Sequence, residues 1–114
     1  MKNHFIASVL LAIPTAIFMT AVSAAGIDAV AAKKLAKRSD CLNCHSVDKA
    51  KIGPAYKKVA LKYKGKADGE EKLTKFITTG PKVKLEDGTE MTHVIIGTTD
   101  KGEIKNLVNW VLSQ

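Results

Sequence analysis

The pentapeptide Cys41-Leu42-Asn43-Cys44-His45 has the C-x-x-C-H spacing through which a haem group is attached covalently to a polypeptide. Two thiols can add to the two vinyl groups of one porphyrin if a tight turn presents both on one side. His45 follows Cys41 by about one helical turn, so its imidazole can reach the iron from the same face. The motif predicts one covalent haem c at Cys41 and Cys44, with His45 as the proximal iron ligand.

The same two cysteines could instead form a redox-active pair, a disulfide or half of a zinc site. The chain has no further cysteine, and its other histidines are His4 and His93. A structural zinc site takes four Cys or His ligands. A redox pair is expected after a strand in a βαβ unit, whereas the residues before Cys41 have a helical pattern. Haem attachment is therefore the interpretation that we favour.

Residues 1–24 have the features of a cleaved secretory signal peptide. Lys2 gives a basic start, the stretch 5–22 is apolar and contains Pro14, and small residues precede Ala24. An uncleaved anchor is the alternative, because about 18 apolar residues could just span a bilayer. Pro14 and the small residues favour cleavage after Ala24 or Ala25. We expect a periplasmic protein, with residues 25–114 forming one domain.

Capping residues and apolar spacing predict an all-α domain of about four helices. The predicted bounds are Asp28 to Arg38, Pro54 to Gly65, Asp68 to Gly80, and a start at Asp100. The first helix is expected to bury Ile27, Val30, Ala31 and Leu35. The last has an apolar stripe at Ile104, Leu107, Val108, Val111 and Leu112, with Trp110 towards its border. Asp100 and Glu103 resemble a capping box at its start.

Residues 80–99 lack helical periodicity and have weak strand signals, so we expect a long loop without a sheet. A loop of this length in a small domain is commonly functional, and wrapping a cofactor would account for it. It contains Met91 and His93, the two candidates for the sixth iron ligand. A thioether opposite an imidazole is the usual choice for electron carriers, which favours Met91. His93 is the alternative, and if neither binds, the iron would be open to gas ligands.

Three segments together resemble a class I c-type cytochrome, similar to the bacterial cytochrome c-551/c-552 group. They are Cys41-x-x-Cys44-His45, the stretch Ile52-Gly53-Pro54-Ala55-Tyr56-Lys57, and Asn109-Trp110-Val111-Leu112-Ser113-Gln114. The resemblance implies N- and C-terminal helices that cross around one covalently bound haem. It also implies that His45 is the proximal ligand, Met91 the distal ligand, and that the Pro54 carbonyl accepts a hydrogen bond from the His45 ring.

The chain carries a formal net charge of +7. Nine of its lysines flank the segments expected around the haem, at positions 49, 51, 57, 58, 62, 64, 66, 82 and 84. They could form a docking face for redox partners with acidic surfaces, or simply a solvated surface. Motifs for nucleic-acid binding are missing, and we expect no stable membrane association after cleavage.

The sequence offers no set of acid, base and nucleophile that would indicate an enzyme. We therefore expect a small soluble monomer that carries one electron between redox partners through a His/Met-ligated haem. Two alternatives are a dedicated cytochrome subunit of a periplasmic oxidoreductase complex and, with less support, a haem-based gas binder.

Overall fold

The computed structural model describes residues 26–114, so the predicted signal peptide at residues 1–24 lies outside the described residues. This part of the chain forms five helices and a two-stranded hairpin. The elements are α1 Ala29–Arg38, α2 Cys41–Cys44, α3 Tyr56–Tyr63, α4 Gly69–Thr79, β1 Lys82–Lys84, β2 Glu90–Thr92 and α5 Lys101–Leu112. The additional helix, α2, is the C-x-x-C turn itself. None of the helices in this described part is long and apolar enough to cross a membrane.

The hydrophobic core is built around α5, which packs against α1, α3 and α4. Its predicted apolar stripe is confirmed, with Ile104, Leu107, Val108 and Val111 all buried and Leu112 packed against them. Trp110, expected at the border of the stripe, is only 4% exposed. The last helix therefore contributes nearly a full side of apolar residues to the core.

The buried face of α1 differs from the prediction. Leu35 is buried as expected, but Val30 is 79% exposed, Ile27 is half-exposed and Ala31 is exposed. The other buried positions are Ala32 and Ala36. The prediction followed the largest apolar side chains, whereas two alanines on the true inner face let the backbone of α1 approach α5 closely.

Asn106 on α5 ties down the beginning of α1. Its side-chain oxygen accepts from the Asp28 N–H at 2.8 Å, and its side-chain N–H donates to the Asp28 carbonyl at 2.8 Å. The Asp28 carboxylate accepts from the Ala31 N–H at 2.9 Å, which confirms the predicted cap of this helix. One amide thus fixes the two helices to each other where α1 begins.

Helices α3 and α4 begin differently from the prediction. Helix α3 starts at Tyr56, two residues after Pro54, because Ala55 has extended backbone and the Tyr56 N–H donates to the Ser46 carbonyl at 2.9 Å. Asp68 precedes α4 as expected, but its carboxylate pairs with the Lys72 ammonium at 2.6 Å and caps no backbone N–H. Tertiary and side-chain partners replace the expected local ones.

The expectation of a loop without a sheet is wrong for residues 82–92. Strands β1 and β2 pair antiparallel, with Val83 opposite Met91. Gly88, at φ +86°, allows the tight reversal between them, and the Asp87 carboxylate accepts from the Thr89 N–H. With only three residues in each strand, the alternation was too short to stand out in the sequence.

Glu103, near the beginning of α5, is bonded to Arg38 at the end of α1. The Asp100 carboxylate accepts from the Glu103 N–H at 2.8 Å, so half of the predicted capping box is present. The Glu103 carboxylate instead accepts from the Thr98 hydroxyl at 2.7 Å and the Arg38 guanidinium at 2.6 Å. These two hydrogen bonds hold the pKa of Glu103 below its ordinary value.

Replacing Glu103 by Gln is expected to lower the midpoint of thermal unfolding at neutral pH and to have a smaller effect in acid. Because its pKa is lowered by folding, Glu103 stabilises the protein above its unfolded-state pKa of about 4.5, and this contribution is lost as the pH falls through the folded-state pKa. Melting curves from pH 7 to pH 3 measure the difference between the two proteins. Glu86→Gln, in the exposed hairpin turn, is the control, and a pH-independent difference for Glu103→Gln would contradict the prediction.

Candidate functional site

The two cysteines lie on the single helical turn α2. Asp40, at φ +59°, reverses the chain between α1 and α2, and the His45 N–H closes the turn on the Cys41 carbonyl at 2.9 Å. Both thiols are partly exposed and free. Burial raises the pKa of the Cys41 thiol, which therefore stays protonated at neutral pH. The Cys41 thiol is thus in its neutral form, which adds to a vinyl group with no net change in protons.

The side chain of His45 is held by a backbone carbonyl. Its Nδ1 lies 2.7 Å from the Pro54 oxygen, and because a carbonyl only accepts, Nδ1 carries the proton. The Nε2 lone pair is then free to bind a metal. The ring stacks on Tyr56 with 5.3 Å between centroids. A Cβ at Gly53 would lie only 2.4 Å from His45 Cε1, so a glycine is required for the ring to occupy this place.

His93 is arranged in the same manner on the opposite segment. Its Nδ1 lies 2.8 Å from the Val94 carbonyl oxygen, which again leaves the Nε2 lone pair free. The ring is 6.1 Å from the His45 ring, centroid to centroid, and meets the edge of Phe76 at 4.8 Å. Desolvation by burial, and secondarily the proximity of His45, lower the pKa of His93. At neutral pH His93 is therefore an uncharged imidazole, the form that coordinates metals.

Met91 lies two residues before His93 and belongs to β2, where it is partly buried opposite Val83. The His93 N–H donates to the Pro81 carbonyl at 2.9 Å, so the two arms of the hairpin remain hydrogen-bonded just beyond the ends of β1 and β2. Positions 91 and 93 share one face of this extended segment. The structure brings the His45 and His93 rings together and places Met91 on the hairpin, opposite Val83.

The donor set fits a porphyrin better than a bare metal ion. Among residues 26–114, the structure contains no group of three or more His, Cys, Asp or Glu side chains that could hold a metal ion. Two imidazoles alone would leave most positions on an iron open, whereas a porphyrin supplies four nitrogen ligands and needs only two axial ones. Two thiols on one turn and two facing imidazoles suit that group.

Comparison with known proteins also supports a haem group. The family profile described as "Cytochrome c" matches residues 29–114. The chain belongs to the cytochrome c family. Proteins of this family carry one covalent haem c and are electron carriers rather than enzymes. This cytochrome contains the C-x-x-C-H motif at residues 41–45.

Its relatives include the bacterial group that the sequence resembles. Cytochrome c-551 of Allochromatium vinosum is 37% identical over 78 residues, covering 68% of this chain and 80% of the relative. Cytochrome c-552 of Hydrogenobacter thermophilus is 35% identical over 101 residues, covering 85% and 94%. The crystal structure of the class 1 cytochrome MtoD from Sideroxydans lithotrophicus ES-1 superposes with a TM-score of 0.74 at 53% identity, covering 77% of this chain and 97% of that one. This cytochrome has the class I fold.

Sequence reasoning missed several residues that support the site of this cytochrome. Phe76 lies on α4, and its contact with His93 depends on how the hairpin folds back. Tyr56 joins His45 to the core, because its ring also packs against Trp110 in a T-shaped contact with 5.6 Å between centroids. Burial raises the pKa of the Tyr56 phenol well above its ordinary value. Gly53 lies in the motif that carried the resemblance, yet its role as a cradle for the ring is visible only in three dimensions.

Proposed function

We propose that this cytochrome carries single electrons through a haem c that is bound at Cys41 and Cys44 and ligated by His45 and His93. The observation that carries the proposal is the pair of facing imidazoles, 6.1 Å apart between ring centroids. Each ring donates its Nδ1 proton to a backbone carbonyl, and each therefore keeps its Nε2 lone pair for a metal. Haem supplies the one-electron couple between ferric and ferrous iron.

The distance between the rings favours His93 over Met91 as the distal ligand. Histidine nitrogens bind metals at about 2 Å, so two imidazoles that share one ion have ring centres roughly 6 Å apart. The observed 6.1 Å fits this spacing. The angle of 47° between the ring planes is compatible with it, because each ring can rotate about its own metal–nitrogen bond. Ligation by two histidines is expected to give a lower reduction potential than ligation by histidine and methionine.

The protein's own groups would limit the rearrangement that accompanies electron transfer. The Pro54 and Val94 carbonyls fix the orientation of the two rings and make both imidazoles stronger ligands. Stacking on Tyr56 and edge contact with Phe76 further restrict ring rotation. Two ligands that stay in place in both oxidation states suit a carrier, which has no substrate to bind at the iron.

The proposed setting is the periplasm, reached through a cleaved signal peptide at residues 1–24, with residues 25–114 as the working domain. The nine lysines named above are all exposed. Two of them have polar partners, since Lys51 donates to the Leu42 carbonyl and Lys57 pairs with Asp48. The remainder would attract acidic redox partners and raise the association rate without requiring tight binding.

Replacing His93 by Ala is expected to open the distal position, whereas Met91→Ala is expected to leave it closed. The measurement is carbon monoxide binding by the reduced holoprotein, together with optical spectra of both oxidation states. The affinity of His93→Ala for carbon monoxide should exceed that of the parent by more than about ten-fold, which corresponds to roughly 1.4 kcal/mol of lost competition.

Met91→Ala is the matched control, because both side chains lie on the same face of the hairpin segment. The opposite pattern, with an opened site in Met91→Ala alone, would contradict ligation by His93 and assign the ligand to Met91. An open site in the unaltered protein would contradict both and favour the gas binder.

A further inference from the structure

We propose that Gly80 is a positioning residue for His93: its missing side chain sets how closely the His93 segment approaches α4. This inference rests on the proposed ligation by His93. Gly80 ends α4 in a left-handed conformation, at φ +56°, and is buried. A Cβ at this position would lie 2.6 Å from the His93 carbonyl oxygen and 2.7 Å from Ile95 Cγ1. Both distances are shorter than nonbonded contacts allow, so any side chain here must push the segment away.

The push cannot be absorbed by a free loop, because the segment is fastened on both sides of the contact. The His93 N–H donates to the Pro81 carbonyl at 2.9 Å, and the Ile96 N–H donates to the Ile77 carbonyl at 2.9 Å. The His93 ring also rests against Phe76, one turn earlier on α4. If the His93 carbonyl is displaced between these two hydrogen bonds, the backbone of His93 must rotate. The imidazole ring then moves with it.

The ordinary role of a glycine at a helix end does not explain the contact. Gly65, at φ +73°, and Gly88, at φ +86°, also have left-handed backbone, yet a Cβ at either would meet nothing within 4 Å. All three positions favour glycine for conformational reasons. Among these three positions, only position 80 also requires glycine for lack of space. The atoms that leave no room for a Cβ there belong to the segment of the proposed ligand.

The test compares Gly80→Ala with Gly65→Ala and Gly88→Ala in the haem-loaded protein. All three substitutions carry the backbone strain of a left-handed alanine, so all three should unfold at lower temperature than the parent. Only Gly80→Ala should weaken distal ligation, seen as a carbon monoxide affinity of the reduced protein raised about ten-fold and a shifted reduction potential. A Gly80→Ala protein that matches the two controls in both readouts would overturn the inference.

Two further variants keep the test decisive if Gly80→Ala folds poorly. Gly80→Asn introduces the same Cβ in a residue that tolerates left-handed backbone better. The double substitution Gly80→Ala/Ile95→Ala removes one of the two close contacts, the one with the Ile95 side chain, and should recover part of the ligation. If neither differs from Gly65→Ala in carbon monoxide affinity, the positioning role is excluded.

His93→Ala separates this inference from the proposal on which it rests. If His93→Ala leaves the distal position closed, His93 is not the ligand, and both proposals fail. If His93→Ala opens the position while the variants of Gly80 leave it closed, ligation by His93 stands and only the role of Gly80 fails. In the His93→Ala background, adding Gly80→Ala should change carbon monoxide affinity by less than about two-fold, because the ligand that it displaces is already gone.

Discussion

Replacing both Cys41 and Cys44 by Ala is expected to yield a protein without covalently bound haem. The two thiols on α2 are the only cysteines of the chain, so no other side chain can form a thioether. Any haem that still enters the site would be held by its axial ligands and by packing alone. Extraction with acidified acetone should then remove the pigment completely, and mass spectrometry should find the polypeptide without the added mass of haem.

The single substitutions Cys41→Ala and Cys44→Ala are the matched controls. Each leaves one thiol on the same turn, and each should retain at least a fraction of pigment that resists extraction. The double variant should also unfold at a lower temperature, because a group that binds only the folded state stabilises it less when its affinity is lower. Pigment that resists extraction in the double variant would contradict attachment through these cysteines.

Local patterns predicted the parts of the fold that local contacts build. The Asp100 cap and the apolar stripe of α5 could be predicted from the sequence, because each depends on residues that are close together along the chain. The hairpin could not be predicted in this way, because its strands have only three residues each and their pairing depends on the turn at Gly88. The inner face of α1 was misjudged because Ala32 and Ala36 matter through their small size.

The candidate site shows the same division between local and distant contacts. The predicted attachment residues lie within one short motif, and the prediction needs only the spacing of that motif. The proposed distal ligand, His93, lies nearly fifty positions after His45, whereas chemical precedent alone favours the thioether of Met91. The 6.1 Å separation of His45 and His93 is a tertiary distance, produced by Gly80 and Pro81 turning the chain back over α4. Such a distance cannot be predicted from a local sequence pattern.

The second large effect is expected at Gly53, where Gly53→Ala should displace the His45 ring. The new methyl carbon would lie 2.4 Å from Cε1 of the ring and 2.9 Å from each of its nitrogens. The backbone at Gly53 cannot retreat easily, because its N–H donates to the Cys44 carbonyl at 2.8 Å and its carbonyl accepts from the Lys51 N–H at 2.9 Å. The ring must therefore move, and its hydrogen bond to Pro54 must lengthen or break.

We expect Gly53→Ala to lower the free energy of unfolding by about 1–3 kcal/mol, as overpacking of a filled site generally does. Loss of the bond to Pro54 should also alter the proximal ligation, seen as a shifted reduction potential and changed optical spectra. Denaturant titration and potentiometry of the haem-loaded protein measure the two effects. Gly26→Ala is the control, since a Cβ there meets nothing within 4 Å. If the two variants have equal stability and equal potentials, the ring does not occupy the cradle at Gly53, because a ring in that place leaves no room for a methyl group.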